Sequence, residues 1–145
     1  MNDPDPFNLQ RFIDAQDQSL DRVLAELQAG AKTSHWMWFV FPQLRDLGRS
    51  STAQYYGIAS IDEAQAYLAH RLLGPRLRQC LEALLPWAGE RTPEQILGPI
   101  DALKLKSCLT LFEAASGAEL YGGALDLFYA GERDQQTLAL LNRRR

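Results

Sequence analysis

The sequence predicts an all-α domain, and three observations support that prediction. Apolar residues recur at steps of three, four and seven over most of the chain, which is the spacing of one helix face. Capping residues, glycines and prolines stand between these stretches. Only residues 36–41 have the aromatic and β-branched content of a strand, and a lone strand would leave its backbone groups unpaired. We therefore expect about six to eight short helices in a single compact domain over residues 1–145, with an ordered core of about 7–141 and no substantial sheet.

The first third of the chain predicts one amphipathic helix and one buried segment. After Pro4 and Pro6 the helix is expected to run as far as Gly30, with an interruption near residues 17–19. Its apolar positions are Phe12, Ile13, Leu20, Val23, Leu24 and Leu27. Residues 36–41 are apolar throughout rather than alternating, so we interpret them as a buried helical turn or an extended core segment.

Start and stop signals define three helices in the middle of the chain. Ser60 precedes Glu63 by three residues, which is capping-box spacing, so a helix is expected to begin there. The Gly-Pro pair at 74–75 ends it, and the proline is suited to be the first residue of the next helix. Residues 92–95 repeat the start signal for a short helix, which the Gly-Pro pair at 98–99 ends.

Three more segments complete the chain. Asp101 is expected to cap a helix whose apolar stripe continues to Ser116 and Gly117. The apolar pattern is repeated up to Gly131, and Asp134 is expected to cap a last helix.

Composition excludes several kinds of site. A chain of 145 residues, 46% of them hydrophobic, buries enough surface to fold without disulfides or a structural metal. Cys80 and Cys108 are each flanked by leucine at helical spacing, so we expect both in the core. His35 and His70 are far apart and lack paired-ligand spacing, which predicts no metal site. Glycine-rich phosphate and dinucleotide motifs are absent, so no cofactor is predicted.

Charge and the N-terminal residues indicate the compartment and the partners. The formal net charge is -3, which argues against nucleic acid as a partner, although residues 31–78 form a basic third that could hold a strand weakly. No apolar run is long enough to span a membrane, so no membrane association is predicted. The acidic, proline-broken start lacks the features of a secretory signal, and we expect the protein in the cytoplasm.

The most informative stretch is residues 32–43, in which two tryptophans, two phenylalanines and a methionine fall within six positions. Most of this apolar area must be inside, so a core plug is one interpretation. The other is a pocket wall, since polar residues, among them His35 and Gln43, flank Trp36 and Trp38. His35 is either a general acid or base or a hydrogen-bonded structural histidine.

Two further stretches carry candidate binding residues. In residues 48–57, Ser51 offers a hydroxyl for an anion, and Tyr55 and Tyr56 offer ring faces for a ribose or base; the alternative is a solvated loop. Lys104 and Ser107 share one line of the predicted helix, whereas Lys106 lies on another, so we expect one lysine at most to face a site. Lys104 is the candidate, because it lies in the predicted first turn, where the helix dipole favours acidic residues and a lysine is unfavourable. A lysine kept in such a position indicates a functional role, and the alternative is a solvated lysine.

Four runs resemble a known family. These are S-H-W-M-W-F-V-F-P-Q, E-A-Q-A-Y-L-A-H with L-G-P-R-L, K-L-K-S-C-L-T-L-F, and G-E-R-D-Q-Q-T-L. Together they resemble the bacterial domain-of-unknown-function 1810 family, sometimes labelled calpastatin-like, over about residues 7–141. The resemblance implies a single all-α domain and no particular activity. Calpastatin-type inhibitors are disordered and poor in aromatic residues, whereas this chain is the opposite.

The order of these segments is also similar to the NADAR class of small helical proteins, which are associated with cleaving N-glycosidic bonds of ADP-ribosyl or riboflavin-precursor compounds. In that class a glutamate precedes the tyrosine pair, and the matching position here is Ala53, beside Gln54. The resemblance therefore implies a related pocket without the expected catalytic acid.

Two functions are compatible with these patterns. The first is binding, or N-glycosidic hydrolysis, of a nucleotide-like or ADP-ribosyl small molecule, with His35 and Lys104 as the catalytic candidates. The binding candidates are Trp36, Trp38, Gln43, Ser51, Tyr55, Tyr56, Ser107 and Asp134. The alternative is a non-enzymatic interaction or regulatory module with an exposed aromatic face. The first function requires that these distant segments line one shared cavity.

Overall fold

Two helices begin the chain where the sequence predicts one interrupted helix. In the computed structural model, which describes residues 4–143, these are α1 (Gln10–Asp17) and α2 (Leu20–Gln28). The Asp5 carboxylate accepts hydrogen bonds from the N–H groups of Leu9 and Gln10 at the start of α1. The predicted interruption is confirmed. Residues 1–3, which belong to the segment predicted to lack a secretory signal, lie outside the described residues, as do residues 144–145.

The aromatic stretch folds as a single helical turn, α3 (Met37–Val40), which confirms one of the two interpretations of this segment. A 3₁₀ turn (Arg45–Leu47) and α4 (Ser51–Tyr55) follow. Leu44 and Ile58 form an isolated parallel bridge, and residues 4–143 contain no strand. The pairing ties the end of the aromatic segment to the residues after α4.

Caps determine the middle helices. In α5 (Ile61–Ala69), the Ser60 hydroxyl accepts a hydrogen bond from the N–H of Glu63. The short α7 (Pro93–Leu97) begins with a complete capping box between Thr92 and Gln95, as predicted. Between them, α6 (Leu73–Leu84) is followed by a 3₁₀ turn (Leu85–Trp87).

The predicted start of α6 at Pro75 is wrong by two residues. Gly74 lies inside the helix, and a Cβ there would be 2.2 Å from the carbonyl oxygen of Leu68 in α5. Glycine therefore permits a close approach of the two helices here, rather than ending one of them.

The last third contains α8 (Pro99–Ser116), α9 (Glu119–Tyr129) and α10 (Gln135–Arg143). The Asp134 carboxylate accepts a hydrogen bond from the N–H of Thr137 and caps α10, as predicted. Asp101 is not a cap, which corrects the prediction: α8 begins two residues earlier at Pro99, and Asp101 lies in its first turn.

Helix α8 is the centre of the fold, since α5, α7, α9 and α10 all pack against it. A chain of rings fills the core, with Phe12 and Tyr67 5.1 Å apart between centroids and Tyr67 and Phe112 5.3 Å apart. The all-α prediction is confirmed. The described residues form ten α-helices rather than six to eight, because the one-turn helices α3 and α4 are too short to show a periodic pattern. None of the helices in this part of the chain has the length and apolar character needed to cross a membrane.

Cys80 and Cys108 are buried, free thiols. Burial raises the pKa of Cys80 to about 12 and that of Cys108 well above its usual value. Because the thiolate is the reactive form, we expect neither cysteine to react with an aromatic disulfide reagent at neutral pH in the native state, and both to react in denaturant. Rapid labelling of the native protein, followed at the absorbance of the released thiolate, would contradict this.

Candidate functional site

The predicted site residues line two neighbouring grooves instead of one cavity. The histidine groove, of about 550 Å³, is lined by His35, Trp36, Tyr55 and Tyr56 together with residues of α1 and α2. The lysine groove, of about 1070 Å³, is lined by the other main set, namely Gln43, Lys104, Ser107 and Asp134, together with Lys106 and the apolar side chains of Leu47, Ile100, Leu103 and Leu138.

A narrow crevice of about 10 Å³ beside Trp38 lies between the two grooves. Tyr56 lines both the crevice and the histidine groove, while Gln43 and Lys104 line both the crevice and the lysine groove. Ser51 is exposed at the first position of α4 and lines neither groove. The shared cavity that a His35–Lys104 catalytic pair requires is therefore divided.

Glu26 in α2 organises the loop that carries His35. Its carboxylate accepts hydrogen bonds from the N–H of Thr33 at 2.7 Å, from the N–H and hydroxyl of Ser34 at 3.0 and 2.7 Å, and from the indole N–H of Trp36 at 2.9 Å. Burial alone would raise the pKa of Glu26, but these four donors outweigh it and lower the pKa to about 2. The loop is thus fastened to α2 by one ionised carboxylate.

The hydrogen bond to Glu26 holds the Trp36 side chain in the core. The side chain is 1% exposed, and its ring packs 6.2 Å from Phe41, so it has no free face on which a base could stack. The core interpretation therefore applies to Trp36, which forms the floor of the histidine groove. His35, next to it, is exposed and makes no hydrogen bond or ion pair within residues 4–143, unlike the structural histidine of the alternative.

Three aromatic rings that pack against one another form one wall of the histidine groove. Tyr55 lies edge-to-face on Tyr56 at 4.8 Å between centroids, and Phe39 lies 5.4 Å from Tyr56. Burial, followed by the neighbouring Tyr55, raises the pKa of Tyr56, so its hydroxyl stays protonated at neutral pH. Rings in such contact leave no gap for a cation between them, and the outer face of Tyr55 is the surface available to a ligand.

Lys104, which lines the lysine groove, belongs to a charge triad with Lys32 and Asp101, which lie behind the groove lining. The Lys32 Nζ lies 2.8 Å from Asp101 Oδ2, and the Lys104 Nζ lies 3.7 Å from Asp101 Oδ1. Each ammonium group also lies over an indole ring, Lys32 over Trp36 at 5.1 Å and Lys104 over Trp38 at 4.9 Å from the centroid. Two cations therefore share one carboxylate between two aromatic rings.

Polar side chains continue from the triad along the groove. Ser107 donates to Asp134 Oδ2 at 3.1 Å, and the same oxygen accepts from the N–H and the hydroxyl of Thr137. Asp134 is thus held as the cap of α10 while lining the groove. The side-chain amide of Gln43 makes no hydrogen bond within the described residues, and Gln43 lines the same groove as Lys104.

The prediction that one lysine at most faces the site is wrong. Both Lys104 and Lys106 line the lysine groove, the second paired with Glu132 at 3.2 Å. The groove is lined on one side by α8, from the first turn of the helix onward, and on the other by residues 131–136. Long side chains from two helical lines of α8 therefore reach it.

Sequence reasoning missed the roles of Lys32 and Asp101. The sequence pattern indicates no role for Lys32 and predicts Asp101 as a cap. Lys32 is close in sequence to Trp36, and Asp101 is close to the candidate Lys104. Lys32 and Asp101 themselves are far apart along the chain, so no local spacing indicates that they are in contact.

Comparison with known proteins agrees with the fold and the resemblance. The model of the family described as "Protein of unknown function (DUF1810)" matches residues 6–141. The chain belongs to the DUF1810 family. A solved structure similar to this DUF1810 chain is the 1.38 Å crystal structure of the conserved hypothetical protein Rv1873 from Mycobacterium tuberculosis. The two are 50% identical with a TM-score of 0.92, and the match covers 95% of this chain and 99% of the other. No curated protein matches significantly.

Metal ligands are not grouped in the part of this DUF1810 chain that the structure describes. No three side chains of histidine, cysteine, aspartate or glutamate in residues 4–143 come together in a way that could hold an ion. Both grooves are lined by hydroxyls, side-chain amides and charged side chains, and the histidine groove also by ring faces.

Proposed function

We propose that this DUF1810 protein binds a small anionic, nucleotide-like molecule in the lysine groove, with Lys104 at the anionic group. One observation carries the proposal. The Lys104 side chain is 24% exposed, yet its carboxylate partner is 3.7 Å away and lies closer to Lys32. Partly buried charges are normally paired, so an anion in the groove would complete the pairing of Lys104.

The rest of the groove suits the body of such a ligand. Ile100 and Leu103 are exposed, line the same groove as Lys104 and offer apolar contact to a flat ring. The free amide of Gln43 can both donate and accept, as recognition of a base or sugar requires. Apolar walls with a few polar groups are the usual composition of small-molecule sites.

The proposal is for binding, because the groups for hydrolysis are not assembled around Lys104. His35 lines the other groove, Glu132 is paired with Lys106, and Asp134 Oδ2 already accepts three hydrogen bonds. Cleavage of an N-glycosidic bond, which the NADAR resemblance implies, needs a free acid or base at the leaving group. Chromatography of ligand samples after incubation tests this directly, since released base would add turnover to the proposal.

The interaction module is not favoured by the same geometry. It requires an exposed aromatic face, and Tyr55, at 55% exposure, is the single exposed aromatic residue within residues 4–143. Trp36 is buried and Trp38 is half-buried under Lys104. These observations support a small-molecule ligand in preference to an aromatic docking face.

Calorimetric titration with ADP-ribose and AMP at millimolar concentration tests the proposal. We expect saturable binding to the native protein and a loss of about tenfold or more in affinity for Lys104→Met, since a hydrogen bond to a charged group contributes about 1.5–3 kcal/mol. Arg78→Met removes an equal charge from an exposed position outside both grooves and should change affinity less than about twofold. Absence of binding to the native protein, or equal binding by Lys104→Met, would overturn the proposal.

A further inference from the structure

We infer that Lys32 sets the anion affinity of the lysine groove without contacting the ligand, by engaging the carboxylate that would otherwise neutralise Lys104. The inference rests on the proposed function and adds a positioning residue to it. Lys32 lines neither groove, its side chain is 9% exposed, and its Nζ is 2.8 Å from Asp101.

The distances show which lysine holds the carboxylate. At 2.8 Å, Lys32 and Asp101 form a charge-assisted hydrogen bond, whereas the 3.7 Å from Asp101 to Lys104 is beyond hydrogen-bonding range. The triad carries two positive charges and one negative charge. The charge of Asp101 is therefore mainly compensated by Lys32, and that of Lys104 is left for the groove.

The backbone fixes Lys32 in this position. Its N–H donates to the carbonyl oxygen of Ile96 in α7 at 2.8 Å, and its ammonium group lies over the ring of Trp36, which Glu26 holds. Lys104 is on a helix and has groove space in front of it. Of the two lysines, Lys104 is the one that can move toward Asp101.

Removal of Lys32 has a definite consequence for this arrangement. An unpaired, largely buried Asp101 would draw the Lys104 ammonium group from 3.7 Å into direct contact, because an uncompensated buried charge is costly. Lys104 would then be neutralised and displaced from Trp38 and Gln43. Lys32 thus acts on the ligand through Asp101 and Lys104.

Titration of the native protein and of variants at Lys32 and Asp101 with ADP-ribose tests the inference. We expect Lys32→Met to weaken binding about fivefold or more, although the side chain does not line the groove. Lys32→Arg preserves the pairing and should stay within about twofold of the native affinity. In the double variant Lys32→Met, Asp101→Asn no carboxylate remains to capture Lys104, and affinity should return to within about threefold of native.

Rescue by the second substitution shows that Lys32 acts through the Asp101 carboxylate, and native-like affinity in Lys32→Arg shows that the charge of the side chain is what matters. Arg78→Met is the charge-matched control, and melting temperatures verify that each variant is folded. Native affinity in Lys32→Met, or failure of the double variant to recover, would overturn the inference while the loss in Lys104→Met leaves the proposed function intact. If Lys104→Met binds ADP-ribose as the native protein does, the inference about Lys32 and the proposed function are both overturned.

Discussion

Replacing Arg11 by methionine is expected to lower the free energy of unfolding by about 3–5 kcal/mol, because the change leaves a buried carboxylate without its partner. The Arg11 side chain is 4% exposed and that of Glu63 is 2% exposed, with 2.7 Å between Nη2 and Oε2. Such a pair contributes little relative to an apolar replacement of both residues, but removing one member is severe.

The hydrogen bonds of Arg11 add to this cost. Its Nε donates to the carbonyl oxygen of Tyr55, Nη1 to those of Phe7 and Asn8, and Nη2 to that of Gly57 as well as to Glu63. All five guanidinium donors are therefore used, which no other side chain can reproduce. The guanidinium joins the start of α1 to residues 55–57, and so it also fixes the tyrosines of the histidine groove.

Equilibrium unfolding in urea measures the effect. Arg22→Met is the matched control, since Arg22 is exposed on α2, and it should change stability by about 0.5 kcal/mol or less. Because Arg11 and Glu63 interact directly, the double variant Arg11→Met, Glu63→Gln should recover about 1 kcal/mol or more of the loss. A decrease of less than about 1 kcal/mol in Arg11→Met would show that the buried pair is not structural in the way described.

The helices could be predicted from the sequence because their signals are local. Ser60, Thr92 and Asp134 act as caps where the spacing indicates, and Gly117, with a φ of 67°, ends α8 as expected. The start of α6 was misplaced because Gly74 serves a contact with α5, which only the packed structure reveals. Local signals therefore locate elements well and fail where a glycine has a tertiary role.

The candidate site was less predictable, because it depends on how distant faces meet. Trp36 and Trp38 are two positions apart and equally apolar, yet one is a buried hydrogen-bond donor to Glu26 and the other lies under Lys104 at the crevice. Composition cannot distinguish them. Charged residues are usually placed at the surface, so Arg11 also gave no signal of a buried role.

Glu26→Gln is expected to lower the free energy of unfolding by about 2–4 kcal/mol at neutral pH, because a neutral amide removes the negative charge that strengthens the four hydrogen bonds now made to the carboxylate. Its oxygen could still accept from the N–H groups of Thr33, Ser34 and Trp36 at the Oε1 position, but without the negative charge, and its NH₂ group would replace the oxygen that accepts from the Ser34 hydroxyl. The loop that carries His35 and places Trp36 under Lys32 would loosen, so anion binding in the lysine groove should weaken in the same variant.

The pH dependence of this loss has a fixed sign. The pKa of Glu26 is about 2 in the folded protein against 4.5 as the ordinary value, so its contribution is complete above pH 4.5 and is lost as the pH falls from 4.5 toward 2. The shift corresponds to about 3 kcal/mol. The stability difference between the native protein and Glu26→Gln should therefore shrink across this interval, whereas the difference for the exposed Glu82→Gln control should stay small throughout.

Carbon-13 NMR of the Glu26 carboxyl group follows the titration in the native protein and needs no variant to fold. A midpoint near the ordinary glutamate value would contradict the fastening role, as would a stability difference that does not change with pH. Other carboxylates titrate in both proteins and cancel in the difference, so the slope isolates the four donors on one side chain. If Glu26 is still ionised at pH 4, its charged carboxylate holds the loop between α2 and α3 in place. The hydrogen bond from Trp36 to Glu26 then supports both the floor of the histidine groove and the ring over which the Lys32 ammonium group lies.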